Sequence, residues 1–167
     1  MSNSNDIAYL EKTPRERIVR AAVAIENTTP EGGILVIFRM CDDTKETLFF
    51  HQRQAIALLR AFRRANKEGH LPPLQGAEHD TLVKIAPYPT DDDCNMNNDL
   101  SRHPKNVKAL VMANAIVFDF IMLDGSSRIF ALPLPVARFL GEYVEQAMRA
   151  PKQNRKEQAR HRGQTLH

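Results

Sequence analysis

The stretch "TLFFHQRQAIALLRAF", residues 47 to 62, changes period in its middle. Thr47 to Phe50 is a β-branched and aromatic run of strand type, whereas from Gln52 onward Ala55, Leu58, Leu59 and Phe62 recur at helical spacing. The stretch "RIFALPLPVARFLGEY", residues 128 to 143, makes the same change 81 positions later (128 − 47). A strand running straight into an amphipathic helix, stated twice, decides the fold class. The expectation is an α+β protein of two similar β-hairpin or sheet-plus-helix units, packed as a pseudo-twofold repeat, with a basic C-terminal tail.

Laying residues 34–62 over 115–143 without a gap pairs Leu35 with Ile116, Val36 with Val117 and Asp43 with Asp124. Within the helices Ala55, Leu58, Leu59 and Phe62 meet Val136, Phe139, Leu140 and Tyr143. On this alignment Arg60, Arg63 and Arg64 fall opposite Gly141, Val144 and Glu145. A hairpin with one helix cannot cover its own core, so each unit needs the other.

Working outward, "TPRE" at 13–16 carries the marks of a helix start: a Thr cap, Pro at the first position and Glu in a capping box. "RIVRAAVAIEN" fits either state: Val19, Ala21, Val23 and Ile25 alternate as a strand, and Ile18, Ala22 and Ile25 fit a helical face; the turn residues and "ILVIFRM" that follow favour a strand in a long hairpin. "TLVKIAPYP" reads as a short strand stopped by prolines, and "TDDDCNMNNDLSRHPKN" as a long polar loop. "VKALVMANAIVFDFIML" reads as strand, bent near Asn114, and its last eight residues are apolar on nearly both faces, which suits double burial or an interface. Pro135 opens a helix that Pro151 ends. The expected divisions are a flexible N-terminus 1–12, a first unit 13–69, a linker 70–80, a second unit 81–150 with its polar loop at 90–106, and the tail 151–167.

The segments "KETLFFHQRQAIALLRAF" and "IVFDFIMLDGSSRIFALPLPVARFLGEYVEQA" resemble the two-unit layout of the YjeJ-like bacterial proteins. The resemblance spans about two thirds of the chain; the polar loop and the basic tail depart from it. It implies a layout and carries over no catalytic or binding residue. A duplicated strand-rich unit closed by a helix is also similar in plan to whirly and PUR-type single-strand binders, an analogy of layout alone.

Enzyme signatures are absent: no phosphate loop, no dinucleotide fingerprint, no H-E-x-x-H and no nucleophile elbow. Asp91, Asp93, Asn95, Asn97 and Asp99 occupy the odd positions of a calcium loop, but Met96 stands where Gly is needed and Arg102 where Glu is needed, so a solvated loop is favoured. His70, His79, Cys94 and His103 lack close zinc-pair spacing. No cofactor or metal is expected. Two cysteines without framework spacing suit a reducing, cytoplasmic setting, and the N-terminus lacks the pattern of a secretory signal.

The charge distribution is more informative. The chain's net +3 and the tail's +4 leave the first 150 residues at −1. A second basic block, Arg53, Arg60, Arg63, Arg64 and Lys67, contains no acid, and four of its members share one helical stripe opposite the apolar one. The tail adds Lys152, Arg155, Lys156, Arg160 and Arg162 as an arm able to grip phosphates without reading bases. The expected function is a non-enzymatic bacterial or phage-type regulator that binds nucleic acid through these ten cations. The alternatives are a protein-interaction module or inhibitor, homodimeric through apolar sheet surface, and an enzyme or metal protein without a recognised signature. No apolar run is long enough to span a membrane.

Overall fold

The computed structural model describes residues 10–26, 32–69, 71–95 and 98–165, with residues 94, 95 and 150–165 described by backbone alone. Six strands form two antiparallel sheets, each ordered as it runs in the chain. The first joins β1 (Val19–Glu26), β2 (Ile34–Met40) and β3 (Lys45–Phe50); the second joins β4 (Pro104–Val111), β5 (Ala115–Met122) and β6 (Ser127–Pro133). Each sheet feeds a helix: α1 (Gln52–Lys67) follows β3, and the last helix (Leu134–Thr165) follows β6. Between the units lie α2 (Gly76–Ile85) and the short α3 (Asp91–Asn95), so the last helix is α4. The architecture is α+β.

Several local features recur in the two sheet-plus-helix units. A 3₁₀ turn precedes each first strand, Arg15–Arg17 in one and Leu100–Arg102 in the other. The ladders slip at Val19/Ala21 and at Pro104/Asn106, a bulge in the same place. Cys41 N–H donates to Ile18 O as Leu123 N–H donates to His103 O, both at 2.8 Å. Met40 N–H closes its turn on Thr44 O, and Met122 N–H on Ser126 O. In each turn an aspartate, Asp42 or Asp124, accepts from the backbone and hydroxyl of Thr44 or Ser126. The next residue, Asp43 or Gly125, takes positive φ.

These bonds correct the alignment. Asp42, not Asp43, matches Asp124, so from the second strand onward the likeness runs at 82 residues rather than 81 (124 − 42), while the 3₁₀ turns and first strands match at 85 (104 − 19). Ile34, Phe38, Met40, Ala55, Leu58 and Ala65 then fall on the identical residues Ile116, Phe120, Met122, Ala137, Leu140 and Ala147. The apolar mask could not resolve the one-residue slip because β2 is buried on both faces from Ile34 to Phe38.

The sheets meet through aromatic side chains. Phe38 packs on Phe120 and Phe130, and Phe50 meets Phe120 edge-on at 5.4 Å. Each such buried ring contributes about 1.5–3 kcal/mol through apolar burial. Helix α4 lies chiefly against β1, and α1 lies against β4 and α4 alike. Ala21, Ala22 and Ala24 keep β1 thin enough for that approach. Gly141 does the same between the helices, since a Cβ there would meet the Phe62 ring at 3.3 Å.

Several expectations change. "TLVKIAPYP" is helix as far as Ile85, not strand, opened by Glu78 Oε1 accepting from Gln75 N–H at 3.2 Å, and of the helix only Leu82 is buried. The strand expected to bend at Asn114 is two strands turning at 112–114. "TPRE" makes only the 3₁₀ turn, with no side-chain cap at Pro14. Inside the segment expected as a polar loop, Asp93 is 4% exposed and bonds Thr47 and Lys45 of β3. Pro151 does not end the last helix, which runs on to Thr165, so the tail continues α4. Leu132 to Val136 joins β6 to α4 without a loop, as Phe49 to Arg53 joins β3 to α1.

Candidate nucleic-acid interface

Helix α1 buries Ala55, Leu58, Leu59, Phe62 and Ala65 against β4 and α4. That fixes its rotation. Arg53, Arg60, Arg64 and Lys67 are exposed on the far side, within an arc of about 60° and over about 21 Å of axis. Among the described residues none of these four has an ion pair or hydrogen bond. Arg64 and Lys67 lie in the last turn, where the helix dipole favours cations. Arg53 lies in the first turn, where the dipole opposes it and no acidic residue offsets it.

Arg63 is different. Its Nε donates to Glu145 Oε1 of α4 at 2.8 Å, and Glu145 also accepts from Arg149 at 3.3 Å. The acid missing from the sequence block is supplied by α4, and Arg63, which lies off the stripe, is not free. A cleft of about 340 Å³ lies between α1 and α4 beside this pair, lined by Phe62, Asn66, Arg138 and Glu142 among others. Arg138 Nη1 is held by Asn66 Oδ1 at 2.6 Å and by Leu71 O, and Glu142 lies 3.4 Å from its Nε. Its three arginines are all paired with Glu142 or Glu145, so the cleft adds no free cation to the basic face.

On the other flank, Gln54 Nε2 donates to Lys105 O at 3.1 Å and draws the bulged start of β4 against the first turn of α1. Lys105 is exposed there, and Lys108 is exposed farther along the strand, across from Asp119. These two cations escaped the sequence reading because they were assigned to a polar loop and to an ordinary strand. The signal was present in "PKNVK", where lysines on an edge strand also guard against edge pairing. Lys152, Arg155, Lys156, Arg160 and Arg162 all lie on α4, and their side chains are outside the described residues. Contacts of Phe62 with Gly141, Arg63 with Glu145 and Asn66 with Arg138 set α4 antiparallel to α1. The backbone beyond Arg149 therefore heads toward the end of α1 that carries Arg53.

The other candidate clusters are engaged in structure. His51 Nε2 and His103 Nδ1 are 3.0 Å apart, with Phe49 stacked on the His103 ring. Asp93 accepts from Lys45, Thr47 and Thr90; burial raises its carboxyl, but those hydrogen bonds outweigh it and hold the group below its usual range. Hydrogen bonds from Ser101 lower Asp99 in the same way. Burial pushes the Cys41 thiol up, against the activation a nucleophile needs. Among the described residues no three His, Cys, Asp or Glu side chains converge as a metal centre requires. No helix among them is long and apolar enough to cross a membrane.

Comparison with protein-family models, with curated proteins and with solved structures finds no match for this chain.

Proposed function

We propose that this chain is a regulator that binds nucleic acid through phosphate contacts along α1 and the adjoining edge of β4. The observation that carries the reading is the set of exposed cations without counter-charge, Arg53, Arg60, Arg64 and Lys67, flanked by Lys105. A polyanion supplies the missing charge and gains by releasing its counterions. The basic continuation of α4 would add to the same face. The strand aromatics Phe38, Phe50, Phe118 and Phe120 are consumed by the core, which favours backbone contact over base stacking.

The scaffold in this reading is an internal duplication, two copies of one unit about a pseudo-twofold axis. Corresponding residues that touch each other support it: Phe38 with Phe120, Glu46 with Arg128, and Arg63 with Glu145, the last two pairs each 82 residues apart. Two related points can be in mutual contact only close to the axis that relates them.

Fluorescence polarisation with labelled duplex DNA and RNA across a salt series tests the function. Four phosphate contacts predict a slope of log K against log salt of about −3.6. Replacing Arg60 and Arg64 by Glu should abolish most of the binding, while Arg63→Ala should leave it nearly intact. No binding at low salt overturns the reading. Binding unchanged in the Arg60→Glu, Arg64→Glu variant removes α1 from it.

A further inference from the structure

The two sheets differ on their outer faces. In the first sheet Leu35 and Ile37 point away from the Phe38 core, yet both are buried, at 3% and 0% exposure. Part of the cover comes from the segment between the units, whose Asp93 reaches Thr47, the cross-strand partner of Ile37. In the second sheet the corresponding positions are Val117 and Asp119, both partly exposed. Around them Leu110 is 62% and Leu123 45% exposed. Among the described residues nothing takes the place of Asp93 on this side.

The pattern on that face is specific. Leu110 stands across from Val117 at one end, and Ile121 and Leu123 form the other. Between them Lys108 stands across from Asp119. The order is apolar, charged, apolar, with both signs of charge in the centre. A twofold axis lying in the interface and parallel to the strands sets each apolar end on its own copy and Lys108 against Asp119 of a second molecule. A polyanion has no use for the leucines, and a partner of one charge sign would leave Lys108 or Asp119 unmatched. Lysines on β4 disfavour pairing through the strand edge but not through the face.

We propose that the outer face of the second sheet joins two copies of this chain back to back about a twofold axis. The face is three strands wide and about 20 Å long. That is smaller than the roughly 800 Å² per partner of a standard interface, so association is weak, with a dissociation constant on the order of 10–100 µM. The dimer does not depend on nucleic-acid binding, and its contacts share no residue with the α1 stripe.

Sedimentation equilibrium of the full chain, from about 1 to about 300 µM, brackets the affinity of such an interface. The wild type should pass from monomer to dimer across that range. Leu110→Ser with Leu123→Ser should stay monomeric while keeping the wild-type circular dichroism spectrum, because both side chains are already in solvent. Lys108→Asp and Asp119→Lys should each weaken the dimer at least about tenfold, and the two together should recover it. A wild type that is monomeric throughout overturns the proposal and leaves the face to another partner. A dimer untouched by the leucine changes, or charge reversals that fail to compensate, overturn it as well.

Discussion

Arg63 of α1 and Glu145 of α4 are partners across 82 residues of chain (145 − 63): Arg63 Nε lies 2.8 Å from Glu145 Oε1. Glu46 and Arg128 repeat the arrangement between the sheets with the signs exchanged. In a dimer of identical units each of these contacts would set like charge against like. Within one chain the two positions are free to differ, and opposite charges turn a repulsive contact into an attractive one.

Charge exchange at Arg63 and Glu145 should therefore compensate. Arg63→Glu alone, or Glu145→Arg alone, is expected to lower stability by about 1 kcal/mol, the scale of a half-exposed ion pair plus a new repulsion. The double exchange should return to within about 0.5 kcal/mol of wild type. Urea denaturation of the four proteins measures it, and a double exchange no better than the singles would refute a direct pairing.

Glu46 and Arg128 are less exposed, at 31% and 23% of their side chains, and Arg128 also reaches Ser101 Oγ at 3.4 Å. Arg128→Ala should cost more than any change at Arg63, about 2 kcal/mol, because Glu46 is left half-buried without a partner. A loss equal to that of Arg63→Ala would argue against the difference in burial.

Asp93 gives the fold a defined acid sensitivity. Its folded-state carboxyl titrates below the unfolded value of 3.8, so the native state binds fewer protons than the unfolded one. Its stabilisation is complete above that value and disappears as pH falls through the lower, folded-state value. Asp93→Asn should be destabilised at pH 7 by about 2 kcal/mol, and its deficit should shrink as pH falls below the unfolded value. A deficit that stays constant into that range would contradict the assignment.

Gly33 tests the β1–β2 connection. It sits at φ 93°, and a Cβ would fall 1.9 Å from the Phe50 carbonyl oxygen. Gly33→Ala combines backbone strain with a clash against β3, and a loss of at least about 3 kcal/mol in thermal or urea unfolding is expected. Gly125→Ala, also at positive φ but in open space, should cost only about 1 kcal/mol.

Much of this molecule was legible in its letters. The change from strand to helix period at Gln52 and again near Leu134, the hairpin turns with their aspartates, and the exposed stripe of Arg53, Arg60 and Arg64 all depend on neighbours in the chain, where local physics acts. The α2 helix was hidden because only Leu82 of it is buried, so it carries no apolar stripe at helical spacing. The 82-residue correspondence was hidden because a strand buried on both faces has no polar face to fix its register.

Sequence alone determined that the chain contains two strand-to-helix units and two concentrations of basic charge, since periodicity and composition are properties of the linear polymer. Tertiary structure alone decided which charges remain free. Arg63 looked equivalent to Arg60 and Arg64 until α4 brought Glu145 to it, and Lys105 joined the stripe only when Gln54 fixed β4 beside α1. Ion pairs act through space over a few ångströms. Residues 82 positions apart find one another only after both helices have crossed to the opposite unit's sheet.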